Sequence, residues 1–204
     1  MKKTLLYKTI AGSCIVALLL LAVGCGPKAR KAQGYMDDPQ THYKQGMKYW
    51  DDGELDRAQE EFKLSQSLDP KYGPAYAGLA LVSAEKGDFK EALKLADKAQ
   101  SLDGKNPDMY IAKALVITKQ NEGTTVKKWL KNVEKEYKKA LDLDPDNAEA
   151  FYRRGVCYKK AYQFAQAAAD FRKVLDLDDE FTKEANDEWK IVQMIQRAEP
   201  GTDV

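Results

Sequence analysis

The chain repeats itself. With Ala58, Ala92 and Ala167 aligned, the residues four places on are Phe62, Ala96 and Phe171, and those twelve places on are Pro70, Gly104 and Asp179. Twelve places before the first and last stand Gly46 and Gly155, with Ala80 before the second. Ala92 follows Ala58 by 34 positions. A fixed period of this size constrains the fold more than any single motif. It means one supersecondary unit used several times, each copy covering the apolar face its neighbour would otherwise expose.

Four copies follow from the alignment. The first, 39–72, carries Gly46, Tyr49, Gly53, Ala58, Phe62 and Pro70; the second, 73–106, carries Tyr76, Leu79, Ala80, Gly87, Phe89, Ala92, Ala96 and Ala99. The fourth, 148–181, carries Phe151, Gly155, Tyr158, Phe164, Ala167, Phe171 and Val174. The third, 107–147, opens with Pro107, Tyr110, Ala114 and Ile117 and closes with Tyr137, Ala140, Leu143 and Pro145. It holds seven extra residues, because Tyr137 follows Ala96 by 41 positions instead of 34.

These letters resemble the tetratricopeptide repeat, with its aromatic, Leu-Gly, Tyr, Ala, Phe, Ala and Pro positions. Departures are Gln45 and Arg154 where Leu is usual, and Gly104 and Asp179 where Pro is usual. The resemblance implies an all-α solenoid of four helix-turn-helix repeats. Physics agrees with the lettering. Small residues at 46, 80, 114 and 155 let paired helices approach, and Phe62, Tyr137 and Phe171 fill the gap towards the next repeat. Asp51-Asp52-Gly53-Glu54 and Lys86-Gly87-Asp88 read as tight turns. The Leu-Asp-Pro steps at 68–70 and 143–145 stop the second helices, because proline disfavours helix for its predecessor.

A solenoid needs a terminal cap. Phe181, Ala185, Trp189, Val192 and Ile195 recur at helical spacing, so 182–198 reads as an amphipathic capping helix and 199–204 as a tail. In the third repeat, Asn121-Glu122-Gly123-Thr124-Thr125 reads as a turn with a helix N-cap. Val126, Trp129, Leu130, Val133, Tyr137, Ala140 and Leu141 then form one stripe. Seven residues are about two helical turns. Both helices of this repeat are therefore expected to be longer than the others and to project beyond the stack, either as simple elaboration or as a docking knob around Trp129.

The N-terminus reads separately. Lys2, Lys3 and Lys8 precede an uncharged, mostly apolar run from Thr9 to Val23, which describes a secretory signal over 1–24. Ala22-Val23-Gly24-Cys25 resembles the lipobox of bacterial lipoproteins, although Ala22 stands where Leu is commonest. The resemblance implies a diacylglycerol on the Cys25 thiol, further acylation of the new N-terminus, and attachment to a membrane. Two or three acyl chains anchor stably where one does not. Gly26, in place of Asp, resembles the outer-membrane pattern of diderm lipoproteins. Residues 25–38 read as the lipidated Cys and a flexible tether carrying Lys28, Arg30 and Lys31. The expected location is the cell envelope, on the periplasmic face of the outer membrane.

Charge and cysteine content narrow the chemistry. Removing the three signal lysines from 33 Lys plus Arg leaves 30 against 32 Asp plus Glu, so the mature chain is near neutral and offers no basic footprint for nucleic acid. Cys14 departs with the signal and Cys25 is expected to be lipidated, which leaves Cys157 alone and no intramolecular disulfide. Cys157 falls at a small-residue helix position and reads as core, and His42 falls where the repeat wants an aromatic. No metal-site, nucleophile-elbow or phosphate-loop motif appears. Asp142, Asp144 and Asp146 mimic the start of a calcium loop, but Asn147 and Arg153 stand where that loop needs Gly and Glu. No cofactor, metal, small-molecule substrate or enzymatic activity is expected.

What the repeat resemblance implies is binding. In that family the first helix of each repeat lines a concave groove. The corresponding positions here are Tyr43, Met47 and Trp50; Ala77, Leu81 and Ala84; Ile111, Leu115 and Thr118; and Tyr152, Val156, Lys159 and Lys160. Most are apolar, which argues against the carboxylate clamp of some members and for hydrophobic anchors from a helix or extended segment. Two readings follow. One is a membrane-anchored scaffold or adaptor that binds an envelope protein or peptide in this groove. The other is a structural subunit of a larger secretion, pilus or outer-membrane biogenesis assembly with no free groove.

Overall fold

The structure, a computed structural model, describes residues 38–125, 128–177 and 180–198. The signal segment, Cys25, the tether as far as Asp37, the 199–204 tail, Val126 and Asp179 lie outside the described residues. Among the described residues there are nine helices and no strand: α1 Pro39–Asp51, α2 Leu55–Leu68, α3 Gly73–Glu85, α4 Phe89–Leu102, α5 Pro107–Gln120, α6 Leu130–Leu143, α7 Ala148–Lys160, α8 Phe164–Leu177 and α9 Thr182–Ala198. They pair as hairpins α1/α2, α3/α4, α5/α6 and α7/α8, with α9 packed on α8. This is an all-α helical solenoid.

Local chemistry sets the helix ends. Asp38 caps α1, accepting from the Thr41 backbone N–H at 2.9 Å and the Thr41 hydroxyl at 2.6 Å, with Pro39 opening the helix. Asn106 caps α5 ahead of Pro107, and Asn147 caps α7 through the Ala150 N–H at 2.8 Å. Each hairpin turn needs one left-handed residue. Gly53, Gly87 and Gly123 supply it in the first three repeats, and Tyr162 takes it in the fourth at φ 59°. Gly104 does the work of Pro70: the Tyr110 hydroxyl donates to the Gly104 carbonyl at 3.1 Å, as the Tyr76 hydroxyl donates to that of Pro70 at 2.8 Å.

Large and small residues interlock across the hairpins. Phe62 is fully buried between Gly46 of its own repeat and Gly78 of the next; a Cβ at those glycines would meet its ring at 2.5 Å and 2.4 Å. Phe171 meets Gly155 in the same way. The departure at Arg154 has a partner that explains it. Its guanidinium donates twice to Asp170 on α8, at 2.8 and 2.7 Å, and lies over the rings of Phe151 and Tyr158. A planar fork on a carboxylate satisfies two groups that would each be costly to bury alone.

The third repeat corrects the expectation of longer helices. α5 and α6 have 14 residues each, the same as α2, α4 and α8. The extra residues lie in the connection between Gln120 and Leu130. Polar side chains end α5 early: Asn121 donates to the Ile117 carbonyl at 2.7 Å, and the Thr124 hydroxyl to the Asn121 carbonyl at 2.7 Å. Gly123 then reverses the chain at φ 78°. Trp129 does not project as a knob. It turns inward, 5 % exposed, against Ile111, Val133 and Tyr137.

At the C-terminal end, Ala185 and Val192 of α9 are fully buried against Phe164, Phe171 and Val174. Lys159 of α7 forms an ion pair with Glu188 of α9. No helix among the described residues is long and apolar enough to cross a membrane.

Candidate partner-binding groove

The first helices of the four hairpins, α1, α3, α5 and α7, converge on a concave face. Trp50 lies in the last turn of α1, Leu81 and Ala84 lie on α3, Leu115 and Thr118 on α5, and Tyr152 and Val156 on α7. Together they line a cavity of about 230 Å³. Its far end carries Glu85, Lys119, Glu122 and Lys160, with Tyr137 and Cys157 at its floor. An apolar cavity of about 150 Å³ holds a benzene ring, so this one has room for a large side chain. A second cavity of about 390 Å³ shares Trp50, Tyr152 and Arg153 with the first and opens towards Met47, Asp51, Glu149, Phe181 and Glu184.

The cavity exists because one junction is looser than the others. Phe62 seats in Gly78 at the α2/α3 junction. At α6/α7, the equivalents are Tyr137 and Arg153, and the two helices pack less extensively. A guanidinium cannot be overrun by a ring as a glycine can. Space is left beside it, floored by Tyr137 and Cys157 and facing Trp50 across the concave side.

The structure distributes the thirteen positions expected to face the groove. It brings Trp50, Leu81, Ala84, Leu115, Thr118, Tyr152, Val156 and Lys160 onto one cavity and adds Met47 at the second. Tyr43 packs between repeats, 5.8 Å from the Phe62 ring and 6.1 Å from Tyr72. Ala77 and Ile111 are 2 % and 3 % exposed and belong to the interior. Lys159 is engaged by Glu188. Tyr152 is held in place by stacking on Phe181 at 5.4 Å.

Sequence reasoning missed the polar groups of the face: Asp51, Glu85, Lys119, Glu122, Glu149, Arg153 and Glu184. Arg153 Nε donates to Glu149 Oε1 at 3.0 Å, one turn back on α7; that four-residue spacing was legible. Lys119 reaches Glu85 at 2.9 Å and Glu122 at 3.3 Å. Desolvation raises the Glu149 carboxyl above its ordinary value, against the pull of Arg153. Desolvation also raises Asp51, opposed by Arg153 and reinforced by Asp52. Burial pushes the Cys157 thiol up, and Thr118 lies 3.6 Å from its sulfur. His42, on the outer side of α1, bonds Glu61 through Nδ1 at 2.7 Å. Among the described residues, no three His, Cys, Asp or Glu side chains are grouped to hold a metal ion.

This architecture has known counterparts. The family model described as "Tetratricopeptide repeat" matches residues 43–107, and the one described as "TPR repeat" matches residues 135–161. A thermophilic TPR protein of Thermus thermophilus superposes with a TM-score of 0.67 at 18 % identity, over 78 % of this chain and 82 % of that one. Pseudomonas aeruginosa pilF superposes with a TM-score of 0.62 at 20 % identity, over 78 % of this chain and 69 % of that one. In sequence, the chain is 30 % identical over 122 residues to the Arabidopsis thaliana protein "CTR9 homolog", covering 59 % of this chain. It spans about a tenth of that relative's length, 10 %. Residues 43–107 and 135–161 thus carry tetratricopeptide repeats, within an all-α solenoid.

Proposed function

We propose that this protein is a membrane-anchored interaction scaffold or adaptor of the bacterial cell envelope, and that it holds a protein or peptide partner in the concave face. The observation that carries the binding half is the cavity shared by Trp50, Leu81, Leu115, Tyr152 and Val156. Five apolar side chains from four separate helices border one hollow with a polar rim. Interfaces concentrate their energy in such places, where a buried anchor excludes water and the rim sets register.

The anchoring half rests on sequence. Lys2, Lys3 and Lys8, the apolar run and Ala22-Val23-Gly24-Cys25 have the order of a lipoprotein signal. Acylation of Cys25 would tether the solenoid through residues 26–38, and Gly26 favours the outer membrane. Confined near one surface, a scaffold meets its partner at a raised effective concentration.

The test is capture after mild cross-linking of native membranes. Wild type is compared with Trp50→Ala/Tyr152→Ala, after checking by circular dichroism that the variant is folded. A specific envelope protein recovered by wild type and lost by the variant supports the groove. Equal recovery by both removes the groove as the binding surface. Cys25→Ser in the same experiment should move the protein from the membrane to the soluble fraction; if it stays on the membrane, lipid anchoring through this residue is wrong.

A further inference from the structure

The two cavities of the concave face differ in charge. The mouth of the second carries the carboxyl groups of Asp51, Glu149, Glu180 and Glu184. Among the residues lining it, one is cationic, Arg153, and its guanidinium is already bonded to Glu149 at 3.0 Å. The carboxyl groups at the mouth thus outnumber its one cation, and desolvation raises Asp51 and Glu149 above their ordinary values, as expected for carboxylates without full compensation. The rings of Trp50, Tyr152 and Phe181 border the same opening; Tyr152 stacks on Phe181 at 5.4 Å, and the Arg153 guanidinium lies 5.9 Å over Phe181, so a cation already rests on an aromatic ring here. The adjoining cavity is different. Trp50, Leu81, Ala84, Leu115 and Val156 give it apolar walls on one side, and at its far end Lys119, paired with Glu85 and Glu122, stands with Lys160, so its charges are mixed and not predominantly acidic. Because the two cavities share Trp50, Tyr152 and Arg153, a ligand filling one has its neighbouring residue at the other.

We propose that the groove selects a peptide segment in which a large apolar side chain adjoins a Lys or Arg. The apolar group enters between Trp50, Leu81, Leu115 and Val156, and the cation sits at the Asp51–Glu184 mouth. This rests on the groove reading above and adds a polarity to it. The partner's chemistry is then opposite to that of an acidic or carboxylate-bearing peptide. The anchor supplies affinity, and the charge supplies orientation and rejection of acidic sequences.

A library of random short peptides, selected on the full chain at physiological salt, tests the polarity. Wild type should enrich sequences with a large apolar residue beside Lys or Arg. An enriched peptide should bind Asp51→Lys/Glu184→Lys about tenfold or more weakly by fluorescence anisotropy. The same double variant should re-select apolar residues beside Asp or Glu. Glu184→Gln, on the exposed side of α9, keeps the test open if the double variant fails to fold, and should weaken binding about threefold, an effect that shrinks with added salt.

Enrichment of acidic or uncharged flanks by wild type, or unchanged selection by the charge-reversed variant, overturns the proposal. If Trp50→Ala still abolishes binding in that case, the groove reading survives and only its polarity is wrong. If Trp50→Ala binds the selected peptides as tightly as wild type, both fail together.

Discussion

α3 and α7 occupy the same place in their repeats, yet one is sunk in the molecule and the other half open. On α3 most residues are buried, including Ala75, Gly78, Leu79, Ala80, Val82 and Ala84. On α7 the buried residues are Ala148, Ala150, Gly155 and Cys157, and Glu149, Arg153, Arg154, Lys159 and Lys160 share the helix with them. Position by position, Gly78 corresponds to Arg153, Leu79 to Arg154, and the turn residue Gly87 to Tyr162. α3 lies between two hairpins that both close on it. α7 meets the loose α6/α7 junction on one side and α9 on the other. The repeat code therefore specifies a hairpin but not how tightly the next one seats. Residues off the code decide that, and they put the cavity and its charges at the fourth repeat.

The tight junction can be broken first. Phe62→Ala should cost about 3–5 kcal/mol, because the ring is fully buried between two glycines. Gly78→Ala should cost about 1–3 kcal/mol in the wild-type background, since its Cβ would sit 2.4 to 2.6 Å from three Phe62 ring carbons. In the Phe62→Ala background the same change should be near neutral. Urea midpoints of the four proteins close this double-mutant cycle. Additive effects would mean that Phe62 does not set the spacing of α2 and α3.

The open helix is probed at Arg154. Asp170→Ala should destabilise by about 1–3 kcal/mol, a value below that of a fully enclosed pair because Arg154 keeps 21 % side-chain exposure. Arg154→Leu/Asp170→Ala, which restores the Leu that α3 has as Leu79, should recover most of the loss. If the double variant is no more stable than Asp170→Ala, the pair does more than replace an apolar contact.

The smallest effect belongs to the turns. Tyr162 holds φ 59° with 68 % of its surface exposed, so its ring contributes little packing to offset the strain. Tyr162→Gly should raise stability by roughly 0.5–1 kcal/mol, the relief of left-handed strain less the entropy of glycine. Gly87→Tyr should lower it by about 1–2 kcal/mol. Thermal midpoints settle both. A loss of stability in Tyr162→Gly would show that the edge-on contact of Tyr162 with Phe164, at 6.1 Å, outweighs the backbone term.

Much of the scaffold was legible from spacing alone. Phe62 with Gly46, Phe171 with Gly155, and the cores around Ala58 and Ala92 all follow from one period, because a repeated hairpin must interlock with itself. The longer third-repeat helices were not, because spacing counts residues without saying where a helix stops. The hydrogen bonds of Asn121 and Thr124 and the burial of Trp129 turned an expected two-turn extension into a loop. At the groove, the apolar members Trp50, Leu81, Leu115, Tyr152 and Val156 could be read from the repeat. The interior placement of Ala77 and Ile111 could not, because the hairpin pattern does not say how far neighbouring repeats close over a position.

By itself, then, the sequence determined the hairpins, their number along the described chain, and which side chains fill them. These depend on contacts within one repeat and with the next, and a period encodes such near-neighbour contacts. Only the tertiary structure decided that Trp50 of α1 faces Tyr152 and Arg153 of α7, and that Asp51 shares a mouth with Glu149 and Glu184. That meeting sums the small rotation at every intervening junction. Each rotation depends on the sizes of the residues seated there, a glycine under Phe62 at one and an arginine beside Tyr137 at another.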